Sequence, residues 1–132
     1  MLAVSGKLDR TFGGPSVDSK ASRRSLYLRQ QRDNLPHQQR LFDSAGGVVS
    51  CSRRRVSTTA LQPLWLMNSP FSQQAAKDFA RRAGSVRTAL ELAYGRRPEE
   101  EEVELLEALE KEHGLDSVCL AILNSSEFLY LP

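Results

Sequence analysis

Arg55, Ser57 and Thr58 stand close together in the run RVSTTALQ, and this is where the 132-residue chain comes nearest to a reactive group. A serine or threonine hydroxyl becomes a nucleophile only when a base takes its proton and a donor steadies the resulting oxyanion. Arg55 could be such a donor, with Asp33 and Asn34 of the DNLP run as further polar partners. His37 or Cys51 could be brought near by folding. The same residue types also do structural work: hydroxyls cap helices, and an arginine in a loop pairs with a carboxylate such as Asp33 or Asp43. That structural role is the expectation here. Arg55, Ser57, Thr58, Asp33 and Asn34 are weak catalytic candidates, and no catalytic residue is assigned.

Other chemistry is less well supplied. His37 and His113 are the two histidines, and neither lies in an HExxH pair, a CxxCH haem attachment or a zinc spacing. Cys51 lies in a polar stretch and Cys119 in an apolar one, which makes neither a disulfide framework nor a metal set. The glutamates from Glu99 to Glu102 lack the alternating ligands and turn glycine of a calcium loop. Glycines 13, 14, 46 and 47 do not form a phosphate-cradling pattern. No cofactor and no metal is expected.

Charge is close to balanced, at +2, but unevenly placed. Arginines crowd the first half, as Arg23-Arg24 and Arg53-Arg54-Arg55, while glutamates crowd residues 99 to 112. A basic half invites a nucleic-acid reading. No aromatic residue interleaves with the arginine triplet to stack bases, so nucleic acid is the least favoured partner. No apolar run approaches 18 residues, so no membrane span is expected, and Met1 to Gly14 does not read as a secretory signal.

The elements that would position these groups divide the chain in two. Residues 11 to 25 are rich in Gly, Ser and Pro, the composition of an irregular loop. Ser25 to Arg29 alternates in the manner of a short extended piece, a single helical turn follows the NLP run up to Phe42, and Asp43 to Ser57 reads as a second loop with a brief extended contact at Val48-Val49. Helices follow. Thr59 and Gln62 have the spacing of a capping box, although Pro63 moves the start towards itself. Ser69-Pro70 opens the next helix, with Phe71, Ala75 and Phe79 on one stripe and Gly84 as its stop. Val86, Leu90 and Ala93 mark a third helix, ended by Gly95. Pro98 opens a glutamate-rich fourth, whose Val103, Leu106 and Leu109 face inward, and Asp116 caps a fifth that carries Val118, Cys119, Ile122 and Leu123. Trp65 is expected to anchor a core.

The runs RRSLYL, NLP, RxxSTT, LMNSPF, YGRRP and LNSSEF resemble the C-terminal domain of large planctomycete proteins that carry a haem c domain, catalogued as a domain of unknown function, family fifteen fifty-three. The resemblance implies no activity. It implies that Met1 to Val17 matches the middle of the family domain, that Met1 to Ser5 is the last turn of a longer helix, and that Glu127 to Pro132 lies where the domain stops. It also implies an exported or periplasmic setting for the parent protein. The stretch from Val86 to Phe128 is similar to helical modules of other bacterial domains, closed by an SxEF turn that folds Phe128 back onto the helices.

The expected fold is mainly α: a small bundle of about five short helices over residues 59–132, preceded by an irregular, extended region over residues 1–58. The expected role is a non-catalytic helical interaction or scaffold module, with the remainder of the domain or another protein as partner. The alternative is the remnant of an enzyme domain with a polar Arg/Ser/Thr/Asp site.

Overall fold

The computed structural model of the chain describes residues 1–30, 35–44, 52, 57 and 59–130. Among them are seven α-helices and one 3-10 turn, with no strand beyond two isolated bridges. The mainly helical expectation holds. The residues fall into two compact units: Leu8–Trp65, and Met1–Lys7 together with Leu66–Pro132.

In the first unit, Asp9 bridges Arg23 and Val17 bridges Leu28, both in parallel sense. Between these bridges the extended piece expected over Ser25 to Arg29 gives way to a 3-10 turn, Ser25–Tyr27. The Tyr27 N–H donates to the Arg24 carbonyl at 2.9 Å and the Leu28 N–H to the Ser25 carbonyl at 3.1 Å. Alternation predicts Leu26 and Leu28 on one face, but residues two apart in a turn of period three do not share a face, and here Leu28 is buried while Leu26 points outward. Helix α1, His37–Leu41, supplies the expected single turn. Val48 and Val49 lie outside the described residues.

Helix α2, Leu61–Asn68, contributes residues to both units. It begins before Pro63, which therefore sits in the first turn. Backbone N–H groups there have no intrahelical acceptor, so the proline removes no helical bond. The Gln62 amide donates to the carbonyls of Leu41 at 2.9 Å and Ser57 at 3.0 Å. Trp65 is half-buried, edge-on to Phe42 with ring centroids 5.8 Å apart, and is not part of the fully buried core.

The second unit is the helical one. Ser69 caps α3, Pro70–Ala83, by accepting the Ser72 N–H at 3.2 Å, and Gly84 ends it at φ +70°. Ser85 caps α4, Val86–Tyr94, through the Thr88 N–H at 3.3 Å, and Gly95 ends it at φ +69°. Helix α5, Glu100–His113, starts two residues after Pro98, because Glu99 is its N-cap and the Glu102 carboxylate turns back to accept the Glu99 N–H at 2.9 Å. The turn-back reach of a capping box decided the start, rather than the proline. Gly114 then closes α5 and opens α6, Leu115–Asn124, so Asp116 lies inside the first turn instead of capping it. A last turn, α7, Ser126–Leu129, follows the cap residue Ser125.

The core is built on α6, which packs against α3, α4, α5 and α7. Phe79, Leu90, Leu123, Val86 and Val118 are its largest fully buried members, with Cys119 among them. Val103, Ile122 and alanines 75, 76, 83 and 89 fill the remaining buried positions, and small residues at a contact let helix axes approach closely. Phe128 of α7 packs on this cluster, as the SxEF turn requires.

Met1 and Val4 pack on the same core. The first six residues form one helical turn with a Schellman close: Gly6, at φ +75°, donates to the Ala3 carbonyl at 3.3 Å and Lys7 to the Leu2 carbonyl at 3.1 Å. The carbonyls of Ala3 and Val4 each accept from the Arg82 guanidinium at 2.8 Å. One turn is too short to persist alone, so α3 stabilises it by packing and by this capping arginine.

Candidate functional site

Among the residues considered for chemistry, Ser57 is described, whereas Asp33, Asn34, Arg55 and Thr58 lie outside the described residues, as does Cys51. Ser57 donates both its backbone N–H, at 2.9 Å, and its hydroxyl to one carboxylate oxygen of Asp43. Asp43 has a left-handed backbone, φ 53°. The cause is local. Asp43 donates to the Arg40 carbonyl at 3.2 Å and Ser44 to the Gln39 carbonyl at 2.8 Å, which is the Schellman pattern that stops α1. Aspartate tolerates that conformation better than most residues. Its side chain then reaches forward to Ser57, while Gln62 of α2 binds the Ser57 and Leu41 carbonyls. The arrangement is a tether from the end of α1 to the start of α2.

A second cluster was not foreseen. Arg23, only 9% exposed, sits over the Tyr27 ring at 4.1 Å. One of its terminal nitrogens donates to the carbonyls of Thr11 and Gly13, each at 2.7 Å, and the Tyr27 hydroxyl accepts the Gly13 N–H at 3.2 Å. The Asp9 carboxylate lies 3.8 Å from Nε, which makes no hydrogen bond among the described residues. Asp9 is held below its ordinary range chiefly by hydrogen bonds from Thr11, with the Arg23 charge a smaller cause. This is a clasp around the Thr11-Phe12-Gly13 bend. The signal was present in the sequence as Gly13-Gly14 ten residues before Arg23, but nothing in the spacing says that a carbonyl pair will face the arginine.

The third cluster joins YGRRP to SSEF. Arg96 binds Glu102 through two nitrogens, at 2.7 and 2.9 Å, and Glu127 through two, again at 2.7 and 2.9 Å. Arg96 also stands 5.3 Å from the centre of the Tyr94 ring, and the Tyr94 hydroxyl donates to Ser125 at 2.9 Å. Ser125 in turn donates to the Ile122 carbonyl at 2.8 Å and accepts the Phe128 N–H at 3.2 Å. The Arg96 guanidinium brings the Glu102 carboxyl down to about 2 and lowers that of Glu127 as well. Both pairs are solvent-facing, so they hold the last turn in place more than they contribute raw stability.

None of the three clusters places a described hydroxyl or thiol beside a described histidine. His37 and His113 are both exposed, and His113 is 3.7 Å from Glu112. Cys119 is fully buried, and burial pushes its thiol up to about 12, away from the reactive thiolate. Among the described residues no group of three or more His, Cys, Asp or Glu could hold a metal ion, and no helix is long and apolar enough to cross a membrane.

A family model described as PSD1, protein of unknown function (DUF1553), matches residues 1–109. No curated protein and no solved structure matches the chain.

Proposed function

Because the chain belongs to the PSD1 family, proteins of unknown function (DUF1553), we propose that it serves as a non-catalytic helical interaction or scaffold module. Its helical part runs over residues 59–132. The haem-c-linked, planctomycete-type parent protein implied by its motifs is part of the same proposal, as are a partner in the remainder of the domain or in another protein and an exported setting for the parent. The observation that carries the reading is the state of Ser57, whose hydroxyl and N–H share one Asp43 oxygen. The serine is a donor twice over to one carboxylate, a structural tie that uses its proton to hold two segments together. A nucleophile needs its proton directed at a base that can hold it near neutral pH, a task for which an imidazole is suited and which no described histidine performs here.

The test is covalent labelling. The purified chain, treated with a fluorophosphonate that reports activated serines, should show no label at Ser57, while Ser57→Ala should lower the melting temperature. Stoichiometric labelling at Ser57, lost in the alanine variant with the melting temperature unchanged, would instead favour an enzyme site built from Ser57, Thr58, Arg55, Asp33 and Asn34.

A further inference from the structure

Two of the most exposed large apolar side chains stand on one polar clasp. Phe12 is 95% exposed and Leu26 is 82% exposed. Phe12 lies between the two carbonyls held by Arg23, and Leu26 lies in the 3-10 turn beside Tyr27, on whose ring the same guanidinium rests. Both tips are therefore held by hydrogen bonds and stacking rather than by burial of their own surface. A protein gains nothing in its own fold by fixing a phenylalanine in water.

The surroundings are basic. Arg10, Lys20, Arg24 and Arg29 are all exposed on this segment. Its two acids are exposed as well, each accepting a local N–H: Asp9 from Thr11 at 2.9 Å and Asp18 from Lys20 at 3.0 Å, so four exposed cations face two exposed carboxylates. Residues 8 to 65 carry ten Lys or Arg against four Asp or Glu, and the rest of the chain carries eight against twelve. The positive charge thus belongs to the unit that displays the two tips.

We propose that the Arg23 clasp is a peripheral docking site for an anionic lipid surface, with Phe12 and Leu26 entering the interface and Arg10, Lys20, Arg24 and Arg29 meeting the headgroups. Separate apolar tips flanked by cations match a bilayer boundary, which accepts protruding side chains without needing a pocket for each. A protein partner would have to supply two recesses. A nucleic acid could stack on Phe12 but has no use for the aliphatic Leu26. The inference extends the interaction-module reading to a class of partner and stands independently of the chemistry at Ser57.

The test uses the full chain and vesicles of equal parts phosphatidylglycerol and phosphatidylcholine, sedimented at low salt. The chain should pellet with them, fail to pellet with pure phosphatidylcholine, and dissociate as salt rises. Phe12→Ser and Leu26→Ser should each weaken the partition by roughly tenfold, the loss expected when one large apolar side chain no longer leaves water. Both residues are exposed, so circular dichroism should be unchanged in either variant. The proposal is overturned if the chain does not pellet with the anionic vesicles, or if both variants pellet like the parent. It is also overturned if the substitutions alter only self-association, or if a single-stranded oligonucleotide competes fully and binds both variants unchanged.

Discussion

At the scale of single residues, three side chains act on backbone or on each other where a sequence reader looks for reactivity. Ser57→Ala removes two-point attachment to Asp43 down to one, and should cost about 1 kcal/mol of stability in a denaturant titration. Arg23→Met leaves the Thr11 and Gly13 carbonyls without their donor. The bend should loosen, and limited proteolysis after Arg10 should speed up severalfold while the helical unit stays intact. Arg96 makes a prediction about pH. Its pairing lowers the Glu102 carboxyl from an ordinary 4.5 to about 2. A depressed carboxyl stabilises the fold when ionised, so the contribution is complete above about pH 5 and is lost as pH falls towards 2. The melting temperature should drop across that window, and Arg96→Met should flatten the drop while lowering the value at neutral pH. The partners of these residues were illegible in the sequence for one reason: Arg96 meets Glu127 across 31 positions and Arg23 meets Thr11 across 12, and no periodicity encodes such meetings.

Elements were more legible, because their signals are local. Ser69-Pro70, Ser85, Gly84 and Gly95 mark helix ends where capping chemistry and left-handed glycine place them, and the apolar stripes of α4 and α6 face the core, as do Ala75 and Phe79 of α3, whereas Phe71 at the start of α3 is 39% exposed. Errors occurred where two local signals competed. Pro98 lost to the turn-back of Glu102, Asp116 lost to Gly114, and the extended piece expected from Leu26 and Leu28 lost to a 3-10 turn that puts the two leucines on different faces. Gly84 offers a clean measurement of one such signal, since a Cβ there would meet nothing within 4 Å and its φ is +70°. Gly84→Ala should therefore cost about 1–2 kcal/mol through backbone strain alone, read as a shift in the unfolding midpoint with unchanged slope. Leu90→Ala, in the middle of α4's buried face, should cost more, about 2–5 kcal/mol, because it opens a cavity.

At the scale of the whole molecule, the mainly helical class followed from period and composition, whereas the positions of Asp33, Asn34, Arg55 and Thr58 remain outside the described residues. Cys119 provides a reporter for the helical unit as a body. It is 0% exposed, and burial has pushed its thiol up to about 12. In a Cys51→Ser background, a thiol-reactive dye at pH 8 should label Cys119 only as fast as the unit opens. Labelling should accelerate in step with denaturant, and immediate labelling in native buffer would contradict the packing described for α6. Gly114 bears on the same body in another way. A single residue serves as the stop of one helix and the start of the next, at φ +81°. Such a joint is as short as two packed helices allow: one residue inserted there would lengthen the link and displace the start of α6 against α5, disturbing the burial of Val118 and Leu123. Length variation among homologues should therefore accumulate in the loops of the basic unit and be absent at this junction.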